Sequence, residues 1–195
     1  MDARVLPMRI HLFGAATPTG AFFERLAGSH SPAVEVRSYS RSDPSKLPLD
    51  LVAPQCFNPS SFQRGDVLVS FAPIWLLAPF ITHLHANNPG WIETLGGIVA
   101  CSSSSAFTKR FAFNRFDRAL VTRLCQSETE LAFQADQCQL PLVILRPTLI
   151  YGACGGFRDS SRLPRSGASP RLKDNLLQRQ RATTHTPLAV VAAAV

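Results

Sequence analysis

Apolar and polar positions along this chain follow two rhythms, one of period two and one of period near 3.6. Residues 9–13, Arg-Ile-His-Leu-Phe, form a short apolar run that stops at Gly14, and Phe22, Phe23 and Leu26 then recur at helical spacing. The pattern predicts strand, glycine turn and helix, with Thr17 as cap, Pro18 in the first turn and Gly28 as the stop. Residues 34–39 alternate as a second strand, and Arg41 lies just past its end. Residues 42–64, rich in Ser, Pro and Asp, read as loops with a short strand near Cys56. A third strand at 66–70, a largely buried helix at 74–84 and an apolar strand at 97–101 follow, with serines 102–105 directly behind the last. Phe116, Leu120, Leu124, Leu131 and Ala135 recur at spacings of four or seven and predict a long helix over about 113–137. Residues 141–145 are the closing strand.

Strands with near-continuous apolar runs, separated by helical patterns, imply βαβ units. The expected fold class is α/β, a Rossmann-type doubly wound parallel sheet with helices on both faces. Periodicity stops at Gly156, which divides the chain into an expected domain over 1–156 and a Ser/Pro/Arg-rich tail over 157–195. In the tail only residues 172–181 resemble a helix, so disorder or one loosely held helix is expected there.

Charge sharpens this division. The 195 residues carry 20 Lys+Arg against 13 Asp+Glu, a formal +7. The tail alone holds seven basic residues against Asp159 and Asp174, a net +5, which leaves +2 for the rest. A basic total ordinarily favours nucleic acid or an anionic surface as partner; here most of it belongs to the tail. Hydrophobic residues make up 46% of the chain, too many for wholesale disorder. No apolar run approaches the roughly 18 residues of a membrane span, and the start lacks a signal-type cleavage site. The five cysteines, Cys56, Cys101, Cys125, Cys138 and Cys154, stand singly, without a C-x-x-C pair. Reduced thiols in a cytoplasmic protein are the simpler reading. His83 and His85 form an H-x-H at a predicted helix end, a poor setting for a metal site.

A dinucleotide pyrophosphate needs backbone N–H groups at a helix N-terminus, and glycine wherever the chain turns tightly or is approached closely. Gly14 and Gly20 satisfy the outer positions of such a turn, and Thr17 occupies the middle one. The alternative is an ordinary strand-to-helix turn with two helpful glycines.

Four stretches together carry a family resemblance: Ile-His-Leu-Phe-Gly-Ala-Ala-Thr over 10–17, Val-Arg-Ser-Tyr-Ser-Arg over 36–41, the serine run after 97–101, and Leu-Arg-Pro-Thr-Leu-Ile-Tyr-Gly over 145–152. Over residues 9–156 the chain resembles the short-chain dehydrogenase/reductase superfamily, in its extended and atypical branch of NAD-dependent epimerase/dehydratase-like proteins. The resemblance implies that Gly14, Thr17 and Gly20 line the pyrophosphate and that Ser70, Phe71 and Ala72 flank the adenosine half. Ser102 and Pro147 complete the implied cofactor-binding set. Arg41 matches an arginine that reaches the 2′-phosphate, with no acidic residue at the usual ribose position beside it, so NADP is favoured over NAD. The other reading of Arg41 is an exposed loop arginine.

The family's chemistry, as the resemblance implies it, uses a tyrosine, a lysine four residues later and a carbonyl-polarising serine. Ser104 matches the serine. The only tyrosines are Tyr39 and Tyr151, followed four residues on by Asp43 and Gly155. Aligning backward from Arg146 through Glu130 puts Thr122 and Gln126 at the tyrosine and lysine positions, where neither can relay a proton at neutral pH. Lys109 is the nearby lysine that could substitute as a cation. Residues 109–118 interleave basic and aromatic side chains, as a helix entry does and as a nucleic-acid contact can. Nucleic acid is the weaker reading; Arg110 or Arg115 holding an anionic substrate is the stronger.

The expectation is therefore an NAD(P)-binding protein acting, if at all, on a nucleotide sugar or small carbonyl compound. The alternatives are a non-catalytic NADP-binding regulator, a truncated inactive relative, and a basic protein that uses its tail on an anionic surface. The resemblance also implies a substrate domain after Tyr-Gly that the chain does not contain. The Arg/Ser/Pro tail has the character of a shifted reading frame. An uncovered sheet edge would then favour self-association.

Overall fold

The computed structural model describes residues 8–30 and 34–148. Two units are distinguished along the chain, Met1–Gly152 and Ala153–Val195, and every described residue belongs to the first. The expectations for the tail, and for Tyr151 and Gly152, lie outside the described residues.

The elements run β1 (Met8–Phe13), α1 (Pro18–His30), β2 (Val34–Ser40), β3 (Leu47–Pro48), β4 (Val67–Ser70), α2 (Ile74–Asn87), α3 (Pro89–Ile92), β5 (Gly97–Cys101), α4 (Ser105–Thr108), α5 (Arg115–Gln137) and β6 (Leu142–Leu145). The six strands form one sheet in the order β3-β2-β1-β4-β5-β6. Every pairing is parallel, with Phe13 opposite both Tyr39 and Ser70, and Ala100 opposite both Ser70 and Ile144. Chain order reverses between β1 and β4, so the sheet is doubly wound and Rossmann-like.

Strand alternation sends the two sets of apolar side chains to opposite faces. Phe13, Leu68, Ile98 and Ala100 join Leu77, Ile81, Leu124 and Leu131 of α2 and α5 in one buried cluster. Ile10, Leu12, Val69 and Val99 point the other way and are also buried, on the face where Phe23 of α1 packs. Over β1 and β2 the α2/α5 side is closed by the long β3–β4 connection, whose Phe57 and Phe62 pack edge-on among Phe13, Tyr39, Phe80 and Trp91.

Several local expectations are corrected. The short strand lies at Leu47–Pro48, pairing Leu47 with Tyr39, whereas Cys56 ends a 3-10 turn opened by Pro54. Gly28 does not stop α1, which continues to His30, because no left-handed conformation is taken there. Phe116, expected on the buried stripe of α5, is 71% exposed, and the buried residues of α5 begin only at Leu124.

Candidate functional site

The glycine turn after β1 is built by hydrogen bonds of its own residues. Thr17 Oγ1 donates to Gly14 O at 2.7 Å and accepts from Gly20 N at 3.0 Å, so the residue in the middle-glycine position acts as helix cap and turn clasp together. Ala15 N donates to Tyr39 O, tying the turn to the end of β2. Gly14 has φ +76°, and a Cβ placed on it would stand 2.6 Å from Ala72 N. At Gly20 a Cβ would stand 2.3 Å from Gly14 O. Both positions therefore require glycine, and for different reasons: close approach of β1 to the segment after β4, and packing of α1 onto its own turn. No acidic residue occupies the first turn of α1, so its positive end faces the turn uncompensated.

The remaining predicted residues line up along the same edge of the sheet. Arg41 is exposed beyond β2. Asp43, close to it in sequence, is engaged by Ser45 through both backbone N and side-chain Oγ. Ser70 is 1% exposed at the end of β4, and its Oγ has no partner among the described residues. Phe71 N donates to Phe13 O, and the Phe71 ring packs against Phe23 at 5.6 Å. Ala72 supplies the backbone that Gly14 approaches. Beyond β5, Ser102 N donates to Leu145 O and Ser104 N to Pro147 O, which fixes the serine run against the end of β6. Ser104 precedes α4 without capping it, so its hydroxyl is not drawn into the helix.

One part of the site was not foreseen. Glu128 of α5, 7% exposed, accepts hydrogen bonds from the Ser102 hydroxyl and from Arg146 Nε and Nη2, the last at 2.7 Å. Burial pushes the Glu128 carboxyl up, but Arg146 and Ser102 outweigh it, and the group sits below its ordinary 4.5. The Arg146 guanidinium also lies over Phe107, 5.0 Å from the ring centre. The clamp joins the ends of β5 and β6 to α5. Glu130 accepts from the Thr82 hydroxyl on α2. Leu124 and Leu120 continue the Glu128 face toward the N-terminus of α5, with Leu124 1% exposed, whereas Thr122 and Gln126 are exposed. Lys109 is bound to Asp117 at 2.7 Å.

The cofactor and serine residues named from the sequence follow the C-terminal ends of β1, β2, β4, β5 and β6, on either side of the β1/β4 point where strand order reverses. In open α/β sheets that crevice is where ligands bind. The chain has a Rossmann-like α/β fold. Its fold matches a dTDP-glucose 4,6-dehydratase from Bacillus anthracis, described in complex with NAD, with TM-score 0.57 and 14% identity over 75% of this chain and 56% of that one. The chain therefore spans little more than half of that dehydratase. An oxidoreductase from Lactococcus lactis matches with TM-score 0.49 and 10% identity, over 72% of this chain and 68% of that one. A nucleoside-diphosphate sugar epimerase from Corynebacterium glutamicum matches with TM-score 0.49 and 14% identity, over 72% and 33%. No family model and no curated protein matches the chain by sequence. Among the described residues no helix is long and apolar enough to cross a membrane, and no group of three or more His, Cys, Asp or Glu could hold a metal ion.

Proposed function

We propose that residues 1–156 bind a nicotinamide dinucleotide across the β1/β4 crevice, with 157–195 as a basic appendage. The observation that carries this reading is the contact between Gly14 and Ala72, where the turn and the β4 end approach so closely that only glycine fits. The unpartnered, buried Ser70 hydroxyl beside it is a polar group that a ligand would satisfy. Such a cofactor supplies hydride transfer when bound. Gly14, Thr17 and Gly20 hold its pyrophosphate at the start of α1, while Ser70, Phe71 and Ala72 flank its adenosine half. Ser102 and Pro147 border the reacting end. Arg41, a cation at the end of β2, selects the 2′-phosphate of NADP.

Ser104 is proposed to polarise, through a hydrogen bond from its hydroxyl, the carbonyl oxygen of a nucleotide sugar or small carbonyl substrate. No titratable side chain shares the Glu128 face of α5 at Leu120 or Leu124, and Lys109 is already paired with Asp117. This favours a second reading, an NADP-binding protein with slow turnover or none. Titration with NADPH and NADH, followed by nicotinamide fluorescence, tests the proposal. Binding of NADPH in preference to NADH, with the preference removed by Arg41→Ala, is the expected result. Turnover assays that compare Ser104→Ala with the native chain separate the two readings.

A further inference from the structure

The opposite edge of the sheet holds a second constellation. α2 ends beside the C-terminal turn of α5, and there His85 Nδ1 lies 2.9 Å from Gln134 Oε1 while His85 Nε2 lies 3.5 Å from Cys138 Sγ. Gln134 and Cys138 are four residues apart and share one face of α5. Cys138 caps the helix, and Gln139 behind it holds the left-handed conformation, φ 53°, that turns the chain toward β6. All three side chains are half-buried, so the thiol is held in place and still reachable.

An amide oxygen only accepts, so the contact with Gln134 Oε1 selects the tautomer that carries its proton on Nδ1. Nε2 then offers its lone pair to the Cys138 thiol. Thiol, imidazole and orienting amide form the arrangement of an activated nucleophile, in which the base takes the thiol proton and the third group fixes the base. Burial, and after it the carboxylate of Glu93, push the Cys138 thiol up, so no thiolate stands ready and reaction depends on His85.

We propose that Cys138 is a thiol-modification site for low-molecular-weight disulfides, with His85 as its general base. In the step, His85 Nε2 takes the thiol proton and the sulfur attacks one sulfur of the disulfide. The Cys138–S bond forms as the S–S bond of the reagent breaks, and the leaving thiolate receives the proton from His85. The products are one mixed disulfide and one free thiol, with no net redox change. A group attached there would enter the α2/α5 seam, away from the cofactor crevice.

The test incubates the full chain with glutathione disulfide and follows each cysteine by peptide mass spectrometry. Cys138 is expected to form the mixed disulfide, and His85→Gln to slow it about tenfold or more. The exposed Cys56 and Cys125 serve as internal controls and should react at unchanged rates. The rate–pH profile at Cys138 should differ in shape between the native chain and His85→Gln. Gln134→Ala should slow the reaction less, and circular dichroism confirms that both variants fold. Failure of Cys138 to react, or an equal rate in His85→Gln, overturns the proposal.

Discussion

Two polar clusters of similar make-up sit at different places in this molecule, and only one is closed. Around β1, His11 is fully buried, with Nε2 2.8 Å from Asp66, Nδ1 2.9 Å from the Tyr39 hydroxyl, and its ring stacked on Phe62 at 3.7 Å. Asp66 also accepts from Gln63 N and faces Arg9 Nη1 at 3.7 Å. Every group in that network is satisfied by the chain itself, and aromatic rings cover it. Around Glu128 the carboxylate is equally well bonded, but Arg146 is exposed, Phe107 beneath it is 55% exposed, and Phe111, Phe113 and Phe116 further along the chain are 83%, 99% and 71% exposed. The closed cluster pins the β3–β4 connection in place of a helix. The open one lies where chemistry is proposed. Polar groups that finish each other serve stability; those left partly open at the strand ends are free to serve a ligand.

The contrast predicts unequal costs for similar substitutions. Phe13→Ala, in the middle of the closed region, should destabilise by about 3–5 kcal/mol in denaturant unfolding. Asp66→Ala removes the acceptor of both His11 and Gln63 and should cost about 3 kcal/mol. Phe113→Ser, by contrast, should leave stability within about 0.5 kcal/mol; a loss comparable to Phe13→Ala would mean that the aromatic segment is covered after all.

Acid should separate the clusters further. Burial holds His11 below its ordinary 6.5 despite Asp66, so the unfolded chain takes up a proton there more readily than the folded one. Stability is thus full above 6.5 and falls as pH drops below it. Glu128, held below 4.5, keeps its contribution above that value and loses it only as pH falls lower still. Melting temperature should decline first below 6.5, and this first decline should flatten in His11→Gln while the later one remains. An effect of opposite sign is expected at Gln139, where Gln139→Gly relieves a left-handed backbone and should stabilise by about 0.5–1 kcal/mol.

What the sequence made legible was local. The five longer strands, Thr17 as the helix cap and the start of α1 at Pro18 follow from spacing within a few residues, and α/β class from their alternation. Pairings across long separations were not legible. His11 and Asp66 lie 55 residues apart and Ser102 and Glu128 lie 26 apart, and no periodicity links them. The strand at Leu47–Pro48 pairs through backbone alone and leaves both side chains exposed, so it has no apolar signature. Phe116 kept the helical spacing of a buried residue, but spacing does not reveal how far along a helix its buried stripe extends.

The most direct test of the account is cofactor affinity of the native chain beside Gly14→Ala. The account predicts that NADPH binds and enhances nicotinamide fluorescence, and that the added methyl, forced against Ala72 N, abolishes binding while the chain still folds. No binding to the native chain at millimolar NADPH, or unchanged binding in Gly14→Ala, would contradict it.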